Sequence, residues 1–196
     1  MKTINKETIC DQAVELFLSQ GYNNVTVNDI CTALNITKPT FYKYVSSKEE
    51  LILDLYDRTI SGLLNDPLHF IEANTHLEQL YLIFGTLVDD TEKFGCDLFS
   101  QMLITNLTED HHSFDMRTNL TKISEVIIRK AQEKKEIRNM SDPLVLYSTI
   151  AYSFTGYEVV WCIRNGNLDW KQKMFKSINA VLIVDEQYKD LYKKFL

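Results

Sequence analysis

Between Lys38 and Lys48 the sequence reads KPTFYKYVSSK. Three lysines, two tyrosines, a phenylalanine and a proline stand there with no acid among them, in a chain whose formal net charge is −6. Drawn as a helix at about 100° per residue, the segment puts Phe41 and Val45 on one side, with Tyr44 on their flank. Pro39, Tyr42 and Lys43 fall on the opposite side, and Lys38 and Thr40 project from the first turn. That outward side suits a major groove. Side chains of a helix N-terminus reach base edges there, while lysines and tyrosine hydroxyls bind phosphates. Thr40 and Pro39 can touch a thymine methyl, and Lys38 can donate to guanine. Lys48, at the start of the next helix, and Thr26, at the start of the preceding one, are candidate phosphate contacts. With Thr37 and Tyr44 they complete the candidate DNA-binding set: Thr26, Thr37, Lys38, Pro39, Thr40, Tyr42, Lys43, Tyr44 and Lys48. The competing reading is that the aromatics only pack and the lysines only solubilise.

Three short helices must hold this segment in place. Ile9, Ala13, Leu16 and Phe17 form one helical face over Lys6 to Gln20, and Gly21 stops that helix. Thr26 with Asp29 is a capping-box pattern opening a helix whose expected buried side is Val27, Ile30, Ala33 and Leu34. Asn35 tolerates the tight turn that follows. Thr37 starts the third helix, with Pro39 in the first turn, where a missing N–H costs nothing. This is a helix-turn-helix arrangement. Ser47 with Glu50 is a second capping-box pattern, heading a helix that carries Leu51, Leu55 and Ile60.

The remainder also reads as helical, over roughly 47–65, 69–89, 92–106, 114–135, 143–164 and 170–191. Loops are expected at 65–67, 108–113, 138–142 and 165–169, where Gly, Asn, Asp and Pro cluster. Only three prolines and six glycines punctuate 196 residues, which suits long helices. The expected fold class is all-α. A three-helix helix-turn-helix DNA-binding domain over 1–46 precedes a helical effector-binding and dimerisation domain over 47–196.

Charge and composition narrow the function classes. Residues 1–48 carry five lysines against four acids, a balance of +1, and the rest of the chain carries −7. A sequence pI near 5.2 excludes a generally basic nucleic-acid binder, so any DNA contact must be local. Cys10, Cys31, Cys96 and Cys162 form no C-x-x-C pair and read as buried free thiols of a reducing compartment. The N-terminus has no apolar signal-peptide core. Polar residues interrupt the apolar run from Leu144 to Ile163, so no membrane span and a cytoplasmic location are expected. The chain shows none of G-x-S-x-G, H-E-x-x-H or G-x-x-x-x-G-K-[ST], so neither an enzyme nor a cofactor is expected. His111 and His112 with Glu109 and Asp110 suit a solvated loop better than a metal site.

The stretch TICDQAVELFLSQGYNNVTVNDICTALNITKPTFYKYVSSKEEL, residues 8–51, resembles the TetR family of bacterial transcriptional repressors. Ala13, Leu16, Phe17, Gly21, Thr26, Ile30, Ile36, Thr37, Lys38, Thr40, Phe41, Tyr42, Tyr44, Lys48 and Leu51 match its pattern in register. Asn35 replaces the usual turn glycine, Cys31 an alanine and Val45 an aromatic residue. Only Lys2 and Lys6 supply cations ahead of the first helix. The resemblance implies a homodimer joined through its last two helices, a palindromic double-stranded DNA operator, and a small-molecule effector in the C-terminal domain whose binding releases DNA. An all-α protein-interaction adaptor without DNA function is the alternative.

The C-terminal half fits that expectation from its own residues. Leu146, Tyr147, Ile150, Tyr152, Phe154, Tyr157, Val160 and Trp161 surround one helix too completely for a single monomer core. Met174, Phe175, Ile178, Val181 and Leu182 form a second apolar stripe. Phe94, Cys96, Phe99, Met102, Met116, Tyr147, Phe154, Tyr157, Glu158 and Trp161 are the candidate effector residues, being aromatic or sulfur-bearing apart from one carboxylate. Glu158 is expected either at the surface, facing solvent or a partner's lysine, or buried and awaiting a cationic ligand.

Overall fold

The computed structural model describes residues 3–62 and 73–196, with the side chains of 59–62 outside that description. The expected loop at 65–67 and the helix ends adjoining it lie outside the described residues. The chain divides into two compact units, Met1–Ser61 with Phe94–Ser113, and Gly62–Lys93 with Phe114–Leu196. Among the described residues every extended element is helical. The one β contact is an isolated antiparallel bridge between Ile137 and Val184.

In the first unit, helix α1 spans Lys6–Gln20. The Asn5 side chain accepts the Thr8 N–H at its start. It ends at Gly21, whose φ of 82° favours glycine and whose N–H returns to the Phe17 carbonyl. Helix α2, Val27–Leu34, opens on a complete capping box between Thr26 and Asp29. Its buried edge is Ile30 and Cys31. Ala33, expected on that side, is exposed; it lies about 200° around the helix from Cys31. Asn35 takes the left-handed conformation (φ 52°) and turns the chain into the short helix α3, Lys38–Tyr42.

Helix α4 spans Lys48–Gly62. Ser47 Oγ accepts the Glu50 N–H. The Glu50 carboxylate reaches Ser46 rather than closing a box on Ser47, accepting its N–H and its hydroxyl, each at 2.6 Å. Helix α5 spans His76–Phe94 and helix α6 spans Cys96–Thr108. The break expected near residues 90–91 falls instead at Gly95, where φ is 86°. Ile9, Ala13, Phe17, Ile30, Phe41, Val45, Leu51, Ile52 and Tyr56 form the core of this unit, with Leu98, Phe99 and Met102 of α6.

The second unit holds all of α5 but its last residue, with α7 (Thr118–Glu133), α8 (Pro143–Ile163) and α9 (Lys171–Leu182). Asp142 caps α8, accepting the N–H groups of Leu144 and Val145. The last helix was expected to run to residue 191 but stops at Leu182. There the backbone turns left-handed at Ile183, and the carbonyls of Leu182 and Ile183 accept the N–H groups of Asn139 and Arg138. The edge pairing takes the chain out of the helix. The tail then returns over α5: Tyr192 is buried, the Tyr192 and Phe195 rings lie 6.4 and 5.9 Å from Tyr81, and Lys194 reaches Glu78 at 2.8 Å.

Candidate nucleic-acid interface

The third helix presents the side its spacing predicts. Phe41 and Val45 are buried, at 0% and 1% exposure, while Tyr42 is 52% exposed. Lys38, Pro39 and Lys43 are exposed, and Thr40 and Tyr44 are half-buried. Phe41 anchors the segment and meets the Tyr42 ring edge-on at 5.3 Å. The Thr37 side chain caps α3, taking the Thr40 N–H and sharing a 2.9 Å hydroxyl contact with Thr40. The Lys43 ammonium lies 5.6 Å from the Tyr44 ring centre. Lys38 and Lys43 form no ion pair among the described residues, whereas Lys6 is held by Glu50 and Asp54. The exposed α3 side thus offers two uncommitted cations, a phenol, a hydroxyl and a flat ring, all from one rigid turn.

Two of the expected phosphate contacts are engaged inside the head. The Thr26 N–H and hydroxyl both point to Asp29 Oδ2, at 2.7 and 2.6 Å. These bonds hold the Asp29 carboxyl below its ordinary value. Thr26 therefore serves α2 as a cap and has no donor left for a phosphate. The Lys48 ammonium donates to the carbonyls of Tyr22 and Val25, each at 2.9 Å, and lies 3.7 Å from the Tyr22 ring centre. Partial burial lowers its pKa. Lys48 staples the loop that leads into α2 onto the start of α4, and one of its three N–H groups remains for a phosphate. Lys48→Met keeps the stem and deletes both carbonyl bonds, so it is expected to cost about 1–2 kcal/mol. In differential scanning fluorimetry this should appear as a melting point lowered by roughly 2–8 °C. An unchanged melting curve would leave Lys48 with a surface role alone.

The loop carrying Tyr22 has further ties that sequence reasoning missed. Its N–H donates to Asp97 Oδ2 of α6 at 3.1 Å, and its hydroxyl donates to Glu49 at 3.1 Å. Glu50 is pulled down to about 2. Desolvation opposes that shift, but hydrogen bonds from Ser46 and Lys6 outweigh it. Cys10, buried beside Arg58, is pushed up to about 12 by desolvation, which keeps it an unreactive thiol.

The candidate effector residues separate by unit. Phe94, Phe99 and Met102 are buried in the first unit. Tyr147, Phe154, Glu158 and Trp161 are buried in the second, where Met116 and Tyr157 are half-buried. The Tyr157 hydroxyl meets Ser177 at 2.9 Å, and Ser148 donates to Met116 Sδ at 3.7 Å. Glu158 is not at the surface: it is 0% exposed. Two depressions of the second unit, about 470 Å³ beside Asn179 and Ile183 and about 490 Å³ beside Ile123 and Val126, include none of the candidates.

The signature of bacterial regulatory proteins of the tetR family matches residues 9–55, the span from α1 into α4 that carries this surface. Over that span the chain is similar to the TetR family. Among its TetR-type relatives, the biofilm operon icaADBC negative transcriptional regulator IcaR of Staphylococcus epidermidis is 26% identical over 123 residues, 59% of this chain and 64% of IcaR. The uncharacterized HTH-type regulator YuxN of Bacillus subtilis is 38% identical over 64 residues, 31% of this chain and 22% of YuxN. The match thus spans less than two thirds of either relative. The TetR-type fold extends further. The crystal structure of Thermus thermophilus FadR, a transcriptional repressor in complex with lauroyl-CoA, superposes with a TM-score of 0.72 at 22% identity over 91% of this chain and 93% of FadR. No described helix is long and apolar enough to cross a membrane.

Proposed function

We propose that this chain is a TetR-type, ligand-responsive, homodimeric DNA-binding regulator, a repressor that a small molecule releases from a palindromic operator. The reading rests on α3, where Lys38, Pro39, Tyr42 and Lys43 stand outward while Phe41 and Val45 anchor the helix. Residues 1–46 read the DNA, and 47–196 bind effector and partner. The sign follows IcaR, a negative regulator by name, and FadR, a repressor. FadR's bound lauroyl-CoA supports a small-molecule effector without fixing its chemistry.

The second unit supplies a dimer face. Val145, Tyr152, Val160 and Ile163 of α8 are 58%, 64%, 39% and 74% exposed. With Thr149 and Gly156 they fall at helical spacing on one stripe. A Cβ built on Gly156 meets nothing within 4 Å, so a second helix can approach closely there. Such a stripe is costly to leave in water and suits a two-fold interface.

Selecting duplexes from a random pool, then measuring mass and affinity together, tests the whole reading. The intact protein should select an inverted repeat, and its affinity should fall steeply with salt. Gly156→Arg should convert the dimer to monomer in light scattering and weaken binding more than a hundredfold. Failure to enrich any duplex at low salt would favour the adaptor reading.

A further inference from the structure

Glu158 lies mid-way along α8, fully buried. One carboxyl oxygen meets the Thr91 hydroxyl of α5 at 3.0 Å, and the other has no hydrogen-bond partner among the described residues. A buried polar atom left unpaired is costly enough that its retention needs a reason. Phe154 and Trp161 stand one turn to either side on the same helical face. Trp170, just before α9, lies 5.2 Å from the Phe154 ring and 6.3 Å from Trp161. It therefore spans the turn that carries the carboxyl. Phe84 of α5 closes the row, 6.1 Å from Phe154. The arrangement is a carboxyl walled by electron-rich rings.

Among the described residues no basic side chain offsets that carboxyl. Burial and Thr91 alone govern its titration. The ionisable groups nearby gather about Glu92, whose carboxylate meets the buried Trp170 side chain. There Asp89, Glu92 and Asp169 outnumber Lys171, which Asp89 holds at 2.7 Å. The Glu92 carboxyl is raised mainly by burial, and then by the charge of Asp89. An acid-rich rim outside an aromatic box around an orphan carboxyl selects for positive charge.

We infer that the effector is an organic cation, held by the Glu158 carboxylate and the rings of Phe154, Trp161 and Trp170. This rests on the ligand-responsive reading above and specifies its ligand. On binding, the cation takes the place of the carboxyl proton, which passes to solvent, so the buried site stays neutral. The Thr91 hydroxyl then donates to one carboxylate oxygen, and the cation faces the other.

The chain's two tryptophans both flank Glu158, so intrinsic fluorescence reports the site directly. Benzyltrimethylammonium should quench it saturably, binding at least tenfold more tightly than neopentylbenzene, its uncharged isostere, or than laurate. Glu158→Gln should remove most of that preference while the protein stays folded and dimeric. The cation should also lower affinity for the selected duplex. Equal binding of cation and isostere, or no saturable quenching, overturns the inference, and the wild-type comparison stands even if the variant misfolds. Quenching that leaves DNA affinity unchanged overturns the effector role. DNA binding without ligand is measured in the same samples, so failure of the regulator reading shows separately, as no complex at all.

Discussion

A dimer lacking both Tyr42 and Lys43 side chains is expected to hold its selected duplex on the order of a thousandfold more weakly, from roughly 2 kcal/mol lost at each of two heads. Tyr42→Ala with Lys43→Ala removes a phenol and a cation from the exposed turn. The buried anchors remain, because Phe41 and Val45 carry the packing. The main packing loss is the edge contact with Phe41 and, for Lys43, the ring contact with Tyr44. Fold and dimer should therefore persist, within about 1 kcal/mol of the parent's stability. Losing a phosphate-binding lysine from both heads should also flatten the logarithmic salt dependence by about two units. Gel-shift titrations at several salt concentrations measure both effects. Undiminished affinity of the double variant would remove α3 from the interface and the regulator reading with it.

The second large effect is on stability, and pH controls it. Burial raises the Glu158 carboxyl from 4.5 to about 8, partly offset by the Thr91 hydrogen bond. Below pH ~4 the carboxyl is protonated in folded and unfolded chains alike, so it contributes no pH dependence. Between about 4.5 and 8 the unfolded chain releases its proton while the folded chain keeps it, so stability falls as pH rises. Over that whole window the loss is of order 4 kcal/mol. Glu158→Gln has no proton to release and should escape it. Melting points of the two proteins should converge near pH 4.5 and differ by roughly 10 °C near pH 8, the variant being the more stable. Parallel curves across that range would mean the carboxyl ionises freely in the folded protein.

The head was legible because its signals are local. Thr26 with Asp29, Asn35, and Pro39 beside Thr37 each impose a backbone conformation through nearby atoms, and the helices follow. The inward side of α3 followed from spacing alone. What sequence could not give depended on distant partners. Lys48 reads as a surface cation until the carbonyls of Tyr22 and Val25 are seen closing on it. Thr26 reads as a phosphate donor until Asp29 takes both its hydrogens. The last helix carries its apolar stripe to Leu182, and only the pairing with residues 138–139 ends it there. Glu158 could not be placed because the same helix has both a buried and an exposed apolar side. Thr91, 67 residues before it, and Trp170, beyond the next turn, decide its surroundings.

The Asp97–Tyr22 bond bears on how a message travels. Helix α6 packs with the reading head, and its first turn grips the loop that delivers the chain to α2. The chain passes from α5 to α6 across the single residue Gly95. Within the first unit the bond is thus a rein from α6 to the loop before α2. Slackening that rein, as Asp97→Asn would, should leave the grip on DNA intact and blunt its release.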